Sequence, residues 1–279
     1  MPSLATRLPL GLVLPQPKTP PDVPAGWRTG PPDFVGVGAQ RCGTTWWWSL
    51  LSGHPGVVGD ELTFPAVGGL IRSRPGKEFH FFDHYGRVAD IDPAEYHRYF
   101  PRPPGRLTGE WTPRYMYDFW TPPMLHRVAP DARLLVMLRD PVARFASGTA
   151  RWGGDPDPLL QHDQFARGRY WQQLRHLLEY FDRSRLLILQ YERCVADPAG
   201  QLRRTFRFLG LPELPAPPET ARRVGIVSDG AAVLDEPTAA ALRRGYRADL
   251  HRLLADFPEL DSSLWPSASD YRGEQACEY

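Results

Sequence analysis

Lysine is nearly missing from this chain: of 33 basic residues, only Lys18 and Lys77 are lysines. Together with heavy alanine and proline use, this is the residue usage expected of a GC-rich bacterial coding sequence. Cysteine is also scarce. Cys42, Cys194 and Cys277 have no metal-ligand spacing and leave one thiol over, which argues against a bridged secreted fold and for a reducing, cytoplasmic setting. No charge excess of either sign exists. The formal net charge is +1, so nothing global points to nucleic acid or to a strongly acidic polymer as partner. Long apolar runs are absent as well. The stretch "RLPLGLVLP" is interrupted by prolines, is too short for a membrane span, and is followed by no convincing cleavage site. No internal repeat is visible.

What is present is enough for one domain. The chain has 279 residues, 42% of them apolar, which is ample for a core at this length. Residues 1–32 hold nine prolines and little periodicity, and read as an extended, poorly ordered leader. A domain is expected over 33–265 and a short tail over 266–279. Within the domain, "DFVGVGA", "RLLVMLRD" and "RLLILQYE" read as short buried strands. Between and after them lie helical patterns: "TTWWWSLLSG", "PVARFASGTARW", "DQFARGRYWQQLRHLLEYFD", "DPAGQLRRTFRFLG" and "PTAAALRRGYRADLHRLLADF". Short strands separated by helices predict an α/β fold, P-loop-like and three-layered, with a central parallel sheet flanked by helices.

The segment "GVGAQRCGTTWWW" raises the main chemical question. Gly38 and Gly43 are separated by four residues, in the frame of a phosphate loop, but Thr44 stands where a nucleotide triphosphatase carries lysine. A strand running into such a turn and then a helix gathers backbone N–H groups and a positive helix end around one point. Thr44 and Thr45 add hydroxyl donors, and Arg41 adds a permanent charge. Trp46, Trp47 and Trp48 are successive on a helix, so at least one of them is expected to line the site or a neighbouring surface. A second anion site is expected from "LRDPVARFAS", with Arg139 at the carboxyl end of a buried strand and Ser147 in the following helix. Two phosphate sites on one sheet edge suggest a bisphosphorylated nucleotide.

These residues resemble the sulfotransferase family. "QRCGTTW" is similar to its 5′-phosphosulfate loop, and "RDPVARFAS" to its 3′-phosphate motif, with the Arg-to-Ser spacing preserved. The likeness continues through "KEFHFFD" and "GEWTPRY" and covers roughly residues 33–257. The resemblance implies 3′-phosphoadenosine 5′-phosphosulfate as sulfuryl donor, with no metal. It places Arg41, Cys42, Gly43, Thr44 and Thr45 at the 5′-phosphate, Trp46 beside the adenine, and Arg139 and Ser147 at the 3′-phosphate. "KEFHFFD" looks most like the heparan sulfate 3-O-sulfotransferase branch and its bacterial relatives, which implies Glu78 as catalytic base, with His80 as the alternative base, Arg41 as a further catalytic residue, and Asp83 also matching. A carboxylate suits a reaction in which a hydroxyl must lose its proton as it attacks sulfur.

Two departures stand out. That branch usually has lysine where Trp111 stands, and the basic cluster near the last helix is reduced to Arg222 and Arg223. Trp111, Tyr115, Tyr117 and Trp120 instead suggest an aromatic wall, with Trp111, Tyr115 and Asp83 as acceptor contacts. The expected partner is a small-molecule hydroxyl acceptor with an apolar or aromatic part; neither nucleic acid nor a membrane is expected. The competing readings are a P-loop kinase-like phosphotransferase and a degenerate nucleotide-binding module.

Overall fold

The computed structural model describes residues 19–59, 61–62, 64, 76–83, 90–150, 158–214 and 234–271. Most of the leader (1–18), the end of the tail (272–279), and Arg222 and Arg223 lie outside the described residues.

Among the described residues the sheet has four strands, ordered β2-β1-β3-β4, all parallel. These are β1 Phe34–Gly38, β2 Gly109–Trp111, β3 Arg133–Leu138 and β4 Leu186–Gln190. β1, β2 and β4 are buried at every position, as near-continuous apolar strands covered on both faces should be. The three strands expected from the apolar runs all form. β2 is additional; its three residues are too few to show a period.

Helices α1 (Thr44–Leu51), α2 (Pro93–His97) and α3 (Thr121–Val128) occupy the first half of the chain. In the second half come α4 (Pro141–Ala150), α5 (Pro158–Ala166), α6 (Tyr170–Leu177), α7 (Tyr191–Ala196), α8 (Pro198–Leu209) and α9 (Glu236–Asp256). α1 and α8 pack together, and α4 and α6 both pack on α9. With this strand order, the right-handed crossovers usual for parallel strands require the segments leaving β1 toward β2, and β3 toward β4, to lie on opposite faces of the sheet.

The helix expected over "DQFARGRYWQQLRHLLEYFD" is broken between α5 and α6. Two side chains supply the bonds that make the break tolerable. Asp249 of α9 accepts from the Trp171 and Gln172 N–H groups at the start of α6, at 3.0 and 3.4 Å. Gln173 donates to the Ala166, Arg167 and Arg169 carbonyls around the end of α5.

The three tryptophans of α1 are all buried, with relative exposures of 3%, 0% and 1%, so none lines a surface. The reason is that α1 is enclosed from several sides. Trp47 donates Nε1–H to Thr205 Oγ1 of α8 at 3.3 Å, Trp48 packs against Phe34 of β1, and Trp46 meets Tyr191 edge-on. The first residues of the expected tail form a short 3-10 helix, Pro266–Tyr271, and Ser267 N–H donates to Asp140 at 2.8 Å.

Candidate functional site

The loop leaving β1 is the centre of the site. Gly43 is the N-cap of α1 with φ 86°, a left-handed conformation, and a Cβ there would lie 2.7 Å from the Tyr191 ring. No side chain caps α1, and its first turn carries no acidic residue. The first amides of the helix therefore remain open to an external acceptor, as an anion site requires. Thr44 is buried and Thr45 half-buried. Cys42 is fully buried beside Tyr170 and its thiol is pushed up to about 11 by that burial, so it is held neutral.

Arg41 also adopts a left-handed backbone, φ 68°. Its Nε–H donates to the carbonyl of Ser147 at 3.0 Å and to Ser147 Oγ at 3.2 Å. The loop arginine expected at the 5′-phosphate thus lies at the serine expected at the 3′-phosphate, and the two motifs meet. Arg139 leaves the carboxyl end of β3 and stacks its guanidinium over Tyr191, 5.0 Å from the ring centroid. The same Tyr191 backs Gly43, so one aromatic ring supports both motifs. Asp140 caps α4 through the Val142 and Ala143 N–H groups, and the fully buried Arg144 ties α4 to Gln164 of α5. Trp46 Nε1 is buried without a hydrogen-bond partner.

The segment carrying Glu78 docks on the outer edge of β2. Trp111 N–H donates to the Gly76 carbonyl at 2.9 Å, and Glu78 N–H to the Trp111 carbonyl at 3.0 Å. The chain then turns through left-handed conformations at Glu78 (φ 57°) and His80 (φ 55°). Such conformations are uncommon for residues with a Cβ and cluster at functional sites. Glu78 has a side chain 48% exposed, the one acidic group of this segment that opens to solvent. His80 Nδ1 lies 2.8 Å from Asp83 Oδ2, and its Nε2 lies 4.0 Å from Glu78 Oε2.

Lys77 is the site residue that reading the sequence missed. It is only 4% exposed, yet its Nζ–H groups reach Thr44 Oγ1 at 3.3 Å, the Trp111 carbonyl at 3.3 Å and Glu78 Oε1 at 3.4 Å. A cation thus stands between the loop and Glu78, although position 111 carries none. Its scarcity was the available signal: it is one of only two lysines.

Trp111, Tyr115 and Asp83, expected as acceptor contacts, are all buried. Trp111 is fully buried, its ring against Gly36 and its Nε1–H donated to the Gly38 carbonyl at 3.1 Å, so it supports the base of the loop. A Cβ at position 36 would overlap that ring at 2.1 Å, which is why β1 carries glycine there. Tyr115 is fully buried and Asp83 is 2% exposed, spent on His80. The aromatics nearer solvent are Tyr117 and Trp120, both half-buried, and Phe119, 71% exposed. Two arginines lie beside them and both are neutralised. Arg114 pairs with Asp118 at 2.6 Å, and Arg167 with Asp163 at 2.7 Å. Arg167 also donates to Gln40 of the loop at 2.5 Å and covers the Tyr117 ring at 4.1 Å. Among the described residues, no group of His, Cys, Asp and Glu could hold a metal ion, and no helix is long and apolar enough to cross a membrane.

Comparison with known proteins gives the family. Human heparan sulfate glucosamine 3-O-sulfotransferase 6 is 32% identical over 197 residues, covering 64% of this chain and 52% of the relative. Human heparan sulfate glucosamine 3-O-sulfotransferase 3B1 is 31% identical over 198 residues, covering 64% and 46%. The chain therefore spans about half the length of these curated relatives. The crystal structure of a sulfotransferase from Alicyclobacillus acidocaldarius shares the fold, with a TM-score of 0.63 at 24% identity, covering 84% of this chain and 98% of that one. The family model described as "Sulfotransferase family" matches residues 32–215, and this chain belongs to the sulfotransferase family.

Proposed function

We propose that this chain transfers the sulfuryl group of 3′-phosphoadenosine 5′-phosphosulfate to a hydroxyl of a small-molecule or sugar-bearing acceptor, in the reducing cytoplasm. The observation that carries this reading is the meeting of two anion motifs at the carboxyl end of the sheet, with Arg41 bonded to Ser147, and with Lys77 linking the loop's Thr44 to the carboxylate of Glu78. The uncapped start of α1, with Thr44 and Thr45, fits the 5′-phosphate; Arg41, Arg139 and Ser147 fit the 3′-phosphate. When bound, the donor supplies an electrophilic sulfur and a phosphate leaving group.

Glu78 takes the proton of the attacking hydroxyl as the new O–S bond forms and the old one breaks. Asp83 orients His80, whose Nε2 faces Glu78 and stabilises the carboxylate's position. Lys77, bonded to Thr44, offsets the negative charge that grows on the leaving phosphate. The acceptor carries an apolar or aromatic portion that meets Phe119, Trp120 and Tyr117. Among the described residues, the carboxylates paired to Arg114 and Arg167 leave little cationic surface there for a polyanionic glycan, which supports a neutral acceptor over the heparan sulfate glucosamine named for the relatives.

Labelled donor offered with neutral sugars and phenols tests the reading. Acceptor-dependent formation of a sulfated product, matched by release of adenosine 3′,5′-bisphosphate, is expected. Transfer of phosphate from ATP in its place would overturn it.

A further inference from the structure

Glu110 is fully buried on β2, yet among the described residues no arginine or lysine pairs with its carboxylate; hydroxyls do. Tyr96 donates to Oε1 at 2.7 Å, Tyr115 to Oε1 at 3.1 Å, and Thr112 to Oε2 at 2.6 Å. An isolated carboxylate at this depth is costly, and hydroxyl donors on both oxygens are what make it tolerable. Two of those hydroxyls also face outward, to the backbone of the Glu78 segment. Thr112 Oγ1 accepts from His80 N–H at 3.4 Å, and Tyr115 Oη from Phe81 N–H at 3.0 Å. Each peptide N–H therefore donates to a hydroxyl whose own proton is committed to Glu110. Hydrogen bonds in such a series polarise one another in a low-dielectric interior. The two amides held in this way sit at and just beyond the left-handed residues Glu78 and His80.

We propose that Glu110 is a positioning residue for sulfuryl transfer: through Thr112 and Tyr115 its carboxylate holds the His80 and Phe81 amides, and so keeps the backbone turned in the way that aims Glu78. The strained turn is over-determined from below by a buried polar cluster, which is the condition under which such conformations persist. Glu78 itself remains open to solvent because the holding is done by its neighbours' backbone. This inference rests on Glu78 being the base, and two independent readouts separate its failure from failure of that reading.

The first readout is amide hydrogen exchange in the full chain, followed at His80 and Phe81. Thr112→Val keeps the shape but removes the bridging hydroxyl, and should speed exchange at His80 by about tenfold or more while strand β3 stays protected. Glu110→Gln should do so at both amides, and Thr112→Ser should restore the native rate. Unchanged exchange at these amides in correctly folded Thr112→Val and Glu110→Gln would overturn the proposal, whatever the enzyme does.

The second readout is turnover of labelled 3′-phosphoadenosine 5′-phosphosulfate with whichever neutral sugar or phenol the labelled-donor experiment identifies as acceptor. Thr112→Val should lower kcat by about tenfold without changing the affinity for adenosine 3′,5′-bisphosphate, and should lower it no further in a Glu78→Gln background. An equal loss in both backgrounds would mean Glu110 acts on the fold at large and not through Glu78, and would also overturn the proposal. If the unmodified chain transfers nothing, the function reading falls, while the exchange arm still decides whether Glu110 holds the turn.

Discussion

The two sides of this site are built by different physics. On the donor side, the loop after β1 and the RDP turn after β3 each belong to a strand–turn–helix unit, and the groups proposed to bind the donor are largely backbone amides and arginines placed by that local geometry. On the base side, Glu78 and His80 have left-handed backbones, and hydroxyls from residues some thirty positions away hold the segment. A donor site of the first kind tolerates the loss of one contact, because the remaining amides still point at the same place. A site of the second kind depends on a satisfied polar cluster, and one missing hydroxyl leaves both a strained turn and a buried unpaired group.

Substitutions on the two sides should therefore fail differently. The largest effect is expected at the base: Glu78→Gln should reduce turnover by roughly 10²–10⁴-fold with donor affinity nearly intact, measured by steady-state kinetics and bisphosphate titration. A parallel loss of affinity would erase the distinction between the sides. Lys77→Met comes next. Removing a buried donor aimed at developing charge should cost about 10²–10³-fold in kcat, and Lys77→Arg should not rescue it, because the guanidinium does not fit where Nζ meets Thr44 and the Trp111 carbonyl.

Donor-side losses should be smaller and should fall on affinity. Arg139→Ala and Arg41→Ala should each weaken adenosine 3′,5′-bisphosphate binding by about 1.5–3 kcal/mol, measured calorimetrically. The bond from Arg41 to Ser147 is the reason to expect the two variants to behave alike. A pure kcat defect in Arg41→Ala would place that side chain at the 5′-phosphate instead.

The smallest effect concerns pH. Burial raises the Glu110 carboxyl above its usual range, and the hydrogen bonds from Thr112, Tyr96 and Tyr115, with the charge of His80, offset this only in part. A group raised in the folded state contributes its full stability below the unfolded value and loses it as pH rises through the folded one. Relative to Glu110→Gln, the unmodified chain should gain stability as pH falls from the raised value toward the ordinary glutamate range. Denaturant midpoints at stepped pH check this, and a constant gap between the two proteins would show that Glu110 does not titrate there.

The donor side was legible in the sequence because its residues are contiguous. Gly38, Gly43, Thr44 and Thr45 lie within one strand–loop–helix stretch, 38–45, and Arg139 and Ser147 within another strand–helix unit. The strands β1, β3 and β4 were visible for a related reason, as unbroken apolar runs. What escaped depends on register between distant segments. Lys77 reads only as the first residue of "KEFHFFD" until its pairing beside Trp111 is seen to bring Nζ to Thr44 as well as to Glu78. Trp111 reads as part of an acceptor wall until its ring is seen against Gly36 and its Nε1–H on the Gly38 carbonyl. The three tryptophans of α1 read as too many for one buried face, and only the enclosure by β1, Tyr191 and α8 explains how all are covered.

The most direct test of the account is a thermal-shift comparison of the unmodified chain with adenosine 3′,5′-bisphosphate and with ATP plus magnesium, each at one hundred times the bisphosphate's dissociation constant. Two anion sites joined through Arg41 and Ser147, with no lysine in the loop, should favour the bisphosphate, whose binding at that concentration adds ~2.7 kcal/mol to stability. A clear rise in Tm with the bisphosphate and a far smaller one with ATP is the expected result. Equal shifts, or a larger one with ATP, would contradict the donor site described here.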